Sequence, residues 1–206
     1  MKEGLKQIGL AEGLIFDQSM LDRAEQEIKR QYLSQGKYGA SVKTSVTPLE
    51  RNRVAVRFDI EEGAVSKIRN INIVGNKEFT KDELLEKLTL TTPNWLTWWN
   101  KNDQYSRQKL TADLEALRSF YMNQGYLEFN IDSTQVSITP DKRDIYITIN
   151  VTEGEKYTVT DVKLAGEMLI PEAEARNLIS VSSGEVFNRQ RVTESSKAIN
   201  DRLGND

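Results

Sequence analysis

Apolar positions recur with helical spacing in three places along this chain. Leu21, Ala24, Ile28 and Tyr32 line one face, Leu110, Leu114, Leu117 and Tyr121 line another, and Val192, Ile199 and Leu203 keep the same register. Each run begins alike. Phe16-Asp17 before Leu21, Tyr105-Ser106 before Leu110 and Phe187-Asn188 before Val192 place an apolar residue, a capping residue and a second apolar residue one turn on. That is an N-cap with a hydrophobic staple. Elsewhere the period falls to two. Ile145, Ile147, Ile149 and Val151 share one face of a strand and Tyr146, Thr148 and Asn150 the other, so one face packs on helices and one meets water. The pattern predicts strands over 40–46 and 54–60, joined around 48–52, and over 128–138 and 145–151, joined around 140–143. Residues 68–75 read as a further strand ended by a Gly-Asn turn, and Val162-Lys-Leu164-Ala-Gly166 takes the matching place later. Thr80-Lys-Asp-Glu83 is a capping box opening a short helix through Leu84, Leu85 and Leu88.

These elements repeat. Tyr32-Leu-Ser-Gln-Gly36 returns as Tyr121-Met-Asn-Gln-Gly125, Ser45-Val-Thr-Pro48 as Ser137-Ile-Thr-Pro140, and Ile60-Glu-Glu-Gly63 as Val151-Thr-Glu-Gly154. Gly36 to Gly125 is 89 positions, Pro48 to Pro140 is 92 and Gly63 to Gly154 is 91, a nearly constant offset that marks a tandem array. The expected class is α+β, in units of strand-helix-helix-strand-strand with two helices on a three-stranded mixed sheet. The expected boundaries are 1–64 for a first module without its opening strand, 65–155 for a complete one, and 156–206 for a third without its C-terminal hairpin. Met1-Lys-Glu-Gly reads as a cut end, so the chain is expected to be a fragment open at both ends. Its third-module strand over 157–165 could then fill the vacant place in a second copy, a strand-swapped self-association.

Composition narrows the chemistry. Hydrophobic residues at 38% and charged residues at 29% suit an ordinary soluble fold. A net charge of −3 with interspersed signs argues against nucleic acid as a partner. The chain has no Cys and no His, which removes disulfides, thiol nucleophiles, Ser-His triads and His- or Cys-ligated metals. No catalytic residue, metal or cofactor is expected. The paired carboxylates Asp82-Glu83 with Glu86, and Glu61-Glu62, could serve an acidic-site enzyme, but the first set suits a helix N-terminus and the second a strand end. Asn150-Val-Thr152 matches a glycosylation acceptor inside a strand and is discounted.

One strand breaks its own period. Phe129 and Ile131 share one parity, Val136 and Ile138 the other, so an extra residue between Asp132 and Gln135 predicts a β-bulge. The candidate site is this strand, taken as an edge: Phe129, Asn130, Ile131, Asp132, Ser133, Thr134, Gln135, Val136, Ser137 and Ile138. Its residues leave two readings open. The bulge protects a bare edge against aggregation, or the edge accepts another chain as an added strand. Trp95, Trp98 and Trp99, in the loop between two helices, are read first as a buried aromatic plug and second as a contact for a partner or lipid.

The unit order, the Asn-Gln-Gly-Tyr126 helix exit and Asn72-Ile-Val-Gly-Asn76 resemble POTRA (polypeptide-transport-associated) domains. Trp98-Trp99-Asn100, Pro48-Leu-Glu-Arg-Asn-Arg-Val54 and the segment from Phe129 to Val136 are similar to those of outer-membrane β-barrel assembly factors of Gram-negative bacteria, across a second, third and partial fourth POTRA domain. The resemblance implies a periplasmic scaffold, part of an outer-membrane protein. It would bind unfolded outer-membrane barrel precursors and accessory lipoproteins of the assembly machine, with the strand from Phe129 as the docking strand. A POTRA array of another exporter or a division protein is the alternative.

Overall fold

The computed structural model describes residues 13, 15–94, 97–166 and 169–204. They fall into two compact units. One takes the described residues up to Asn70 with those of Thr92–Arg107 and Ser137–Tyr146, and the other takes Ile71–Thr91, Gln108–Val136 and those from Ile147 onward.

In the first unit, helix α1 (Gln18–Ser34) starts on Asp17, whose carboxylate accepts the Ser19 N–H at 2.9 Å. Its stripe of Leu21, Ala24, Ile28 and Tyr32 is buried as the spacing requires. Strands β1 (Ser41–Leu49) and β2 (Arg53–Glu61) pair antiparallel without a break, from Ser41 opposite Glu61 to Leu49 opposite Arg53. Ile28, Tyr32 and Val42 form the core, with Ala40, Phe58 and Ile60 packed on it. The hairpin loop is shorter than expected, because Pro48 sits within β1 opposite Val54. An edge strand tolerates a proline that a central strand would reject. Among the described residues this sheet has two strands.

The second sheet contains β3 (Lys67–Val74), β4 (Asn130–Ile138) and β5 (Asp144–Thr152) in the order β3-β5-β4. Helix α2 (Lys81–Leu85) opens on the expected capping box: Thr80 Oγ1 accepts the Glu83 N–H, and Glu83 returns a carboxylate to the Thr80 N–H at 2.8 Å. It stops a turn earlier than expected. Lys87 and Leu88 donate to Leu84 and Leu85, three residues back, and this tighter winding still buries Leu88. Helix α3 (Thr97–Asn100) is a single turn, and α4 (Arg107–Asn123) buries Leu110, Leu117 and Tyr121. Two more helices, α5 (Glu172–Asn177) and α6 (Arg189–Leu203), belong to the third repeat, and Asn188 caps the latter.

The strand expected over 157–165 is not formed. Thr158 makes only an isolated bridge to Val186. In the second repeat β3 is bound by β5; in the third, among the described residues, the backbone bonds run from Tyr157 to Gly125 and Phe187 and from Val159 to Gly184 and Glu185, too few for a ladder. An open groove of about 530 Å³ lies there, with Val162, Phe187, Val192 and Ile199 in its walls.

Two glycines show why their motifs are kept. Gly75 adopts φ 101°, and a Cβ on it would lie 2.0 Å from the Val151 carbonyl oxygen, so only glycine lets β3 end against β5. Gly125 adopts φ 98°, and its carbonyl accepts the Tyr157 N–H at 2.9 Å; the same bond joins Ser66 to Gly36 one repeat earlier. The Gln-Gly helix exit is thus where each repeat is tied to the next.

A second interaction also recurs. Tyr121 donates to Glu153 at 2.8 Å, and Tyr32 donates to Glu62 at 3.1 Å. The two differ in setting. Glu153 is buried and also accepts the N–H groups of Lys77 (2.9 Å) and Glu78 (3.2 Å), locking the turn after β3 to the end of β5. Glu62 is exposed and paired with Lys37. Tyr121→Phe is therefore expected to destabilise the chain by about 1–3 kcal/mol, because a buried charge-assisted bond is lost. Tyr32→Phe should cost less; equal losses in urea denaturation would contradict the distinction.

Candidate docking edge

The outer side of β4 has no strand beside it among the described residues, since β4 ends the order β3-β5-β4. The direction of its amides follows from one bond. The Thr139 N–H donates to the Asp144 carbonyl at 2.9 Å, toward the neighbouring strand. Backbone groups alternate in direction along a strand, so Ser137 and Gln135 also face β5, while Ile138, Val136 and Thr134 direct N–H and C=O outward. Val136, in the middle of this outward row, is 41% exposed.

The bulge expected within β4 is visible in its side chains. β5 alternates without fault: Ile145, Ile147, Ile149 and Val151 are buried, and Asn150 and Thr152 lie on the opposite face. Thr152 Oγ1 donates to Asp132 at 2.7 Å, and Asn150 Nδ2 donates to Ser133 at 2.8 Å. Consecutive residues of β4 thus reach the same face of β5, which a regular strand cannot do. Burial agrees in part: Ile131 is half-buried, Asp132 and Ser133 are exposed, and Thr134 and Ile138 are half-buried with the other parity, but Val136 between them is exposed. β3 shows a similar shift, burying Ile68 and then Ile71 and Ile73. Both outer strands depart from period two; the central one does not.

Phe129, the first residue of the expected site, precedes β4 rather than belonging to its edge. It is buried and stacks on Tyr121 with ring centroids 4.0 Å apart and planes at 10°. Phe79 meets Tyr121 edge-on at 5.2 Å and Tyr126 at 5.8 Å, so the start of β4 is anchored in an aromatic cluster. Burial pushes the Tyr121 phenol far above its ordinary range, and its hydrogen bond to Glu153 adds to the effect. Tyr157 is also raised, chiefly by donating to Glu128 at 2.9 Å. The cluster keeps neutral phenols as donors over the whole physiological range.

The other candidates separate. Trp95 lies outside the described residues, and Trp98 belongs to α3. Trp99 is 77% exposed, so the expected buried plug does not extend to it. Glu83 is engaged in the capping box, and the Thr80 N–H holds its carboxyl below the usual range. Glu62 is held between Tyr32 and Lys37. These acids have structural employment. Among the described residues no cluster of three or more acids is placed to hold a metal ion, and no helix is long and apolar enough to cross a membrane. Glu153, by contrast, escaped sequence reasoning as a functional part of the fold. The signal was present in its offset of 32 from Tyr121, close to the 30 between Tyr32 and Glu62.

A family model described as POTRA, surface antigen variable number repeat, matches residues 2–63, 66–154 and 157–206. The chain belongs to the POTRA family. The outer membrane protein assembly factor BamA of Neisseria meningitidis serogroup B is 33% identical over 205 residues, covering 99% of this chain and 26% of that protein. BamA of Buchnera aphidicola subsp. Acyrthosiphon pisum is 30% identical over 190 residues, covering 91% and 30%. The crystal structure of Haemophilus influenzae BamA POTRA3-5 shares the fold with a TM-score of 0.55 at 22% identity, covering 99% of this chain and 80% of that one. This POTRA chain thus spans between about a quarter and a third of those two relatives, 26% and 30%. The expected α+β POTRA fold is the one found. Trp99→Ala should leave stability within about 0.5 kcal/mol of wild type, as for an exposed surface position. A thermal melt lowered well beyond that would show a packing role for Trp99.

Proposed function

We propose that this chain is a periplasmic scaffold segment of an outer-membrane protein assembly factor. In this reading β4 accepts extended segments of unfolded outer-membrane barrel precursors, or of accessory lipoproteins, as an added strand. The POTRA units are those over 1–64, 65–155 and 156–206, with the complete one carrying the docking strand. The observation that carries the proposal is the open edge of β4, where Thr134, Val136 and Ile138 direct backbone groups outward. Such a row offers main-chain hydrogen bonds to any extended partner, while side-chain pockets confer choice. The family relationship supports the setting, since the relatives bear the name of outer membrane protein assembly factors.

The loop of Trp95, Trp98 and Trp99 is proposed as a secondary contact for a partner or a lipid surface. Exposure of Trp99 leaves its side chain accessible to such a contact.

Neighbouring prolines separate docking from folding. Val136→Pro removes an outward donor, so capture of an unfolded outer-membrane protein should fall while the melting temperature stays nearly unchanged. Ser137→Pro removes an inward ladder donor and should lower stability by about 1–3 kcal/mol. Undiminished capture by a folded Val136→Pro chain would move docking away from β4.

A further inference from the structure

The chain has no cysteine, so its readily oxidised sulfur is that of its four methionines. Met20 and Met122 lie among the described residues, and each is half-buried. Met122 stands in the last turn of α4, and its Sδ accepts a hydrogen bond from Arg189 Nη1 at 3.1 Å. Arg189 opens α6 and is exposed, so water and small solutes reach the contact.

Neighbouring bonds hold the sulfur and the guanidinium together. Asn123 Oδ1 accepts the Gln190 N–H at 2.9 Å, and Asn123 Nδ2 donates to Gln190 Oε1 at 3.4 Å. Beyond them the Gly125 carbonyl accepts the Tyr157 N–H, and the Tyr157 carbonyl accepts the Phe187 N–H at 3.0 Å. The end of α4 and its Gly125 exit thus grip the start of the third repeat at several points, and Met122 is one of them. Packing at this position does not require sulfur. At the same helical place in the first repeat, 89 positions earlier, α1 has Leu33, which is 43% exposed.

A thioether is a weak acceptor, and a guanidinium is better matched by a polar oxygen. We propose that Met122 is an oxidation site whose sulfoxide is held by Arg189, so that oxidants tighten the tie between the second and third repeats. The co-reactant is a hydroperoxide. A sulfur lone pair attacks one peroxide oxygen, and the S–O bond forms as the O–O bond breaks. Sulfur loses two electrons, the peroxide gains them, and the departing hydroxide takes the proton of the transferred oxygen and leaves as water. Arg189 then donates to a partly negative oxygen in place of a neutral sulfur, and charge-assisted bonds of this kind are about twice as strong as neutral ones. Reduction of the sulfoxide restores the thioether and resets the tie.

The test treats the full 206-residue chain with hydrogen peroxide. Peptide mass spectrometry should place one added oxygen on Met122. Amide exchange read by NMR should then show the Tyr157 N–H exchanging about threefold or more slowly than in the untreated chain. Met122→Leu, checked for native circular dichroism, should show no such slowing after the same treatment, which removes the other methionines as its source. Arg189→Leu should take up oxygen at Met122 without the slowing. Oxygen on Met20 while Met122 stays a thioether would overturn the proposal. Faster exchange of Tyr157 once Met122 is oxidised would overturn it too, as would slowing that survives Arg189→Leu. The comparison of treated and untreated wild type is decisive without either variant, so a variant that fails to fold does not shelter the proposal.

Discussion

A strand at the edge of a sheet must leave every second backbone N–H and C=O without an internal partner, and β4 is such a strand. Those groups meet either water or another chain. The irregularity at Asp132 and Ser133 leaves the outer side of β4 as it was, because the backbone groups of Thr134, Val136 and Ile138 are directed outward beyond it. The regular alternation of β5 provides the fixed reference against which that irregularity is held. In the proposed reading a protective feature and a receptive one share the strand, with the outward row beyond Ser133 left for a partner.

Holding the edge in place requires anchorage behind it. Tyr121 stacks on Phe129 at the approach to β4 and bonds Glu153 at the end of β5. Glu153 in turn accepts two backbone donors from the turn after β3. One phenol therefore ties the approach to one outer strand to the turn leaving the other. The first repeat keeps the Tyr-Glu bond but in the open, where solvent weakens it. The third repeat has Leu203 at the corresponding helical position, and its first segment forms no strand. The completed sheet and the buried clasp occur together, in the second repeat.

Much of the local architecture was legible because it depends on near neighbours. Helical stripes, the Thr80–Glu83 box and the caps at Asp17 and Asn188 follow from spacing and short side-chain bonds. The bulge was legible from parity alone. Features that depend on distant partners were not. Pro48 reads as a breaker until the edge position of β1 removes the need for its donor. The segment over 157–165 has strand composition, but among the described residues its pairing is confined to the isolated bridge from Thr158 to Val186. Glu153 looks like one acid among many until the fold brings Tyr121, Lys77 and Glu78 around it. Trp99 resembles a core residue by type, and only its place on a one-turn helix leaves it exposed.

Amide hydrogen exchange along β4, read residue by residue by NMR, tests the account most directly. In the free chain Thr134, Val136 and Ile138 should exchange quickly, while Gln135 and Ser137 stay protected. Adding an unfolded outer-membrane barrel segment should slow the outward three and leave the inward two unchanged. Protection that leaves Thr134, Val136 and Ile138 untouched and appears instead along β1 or β3 would contradict the assignment of β4 as the receiving edge.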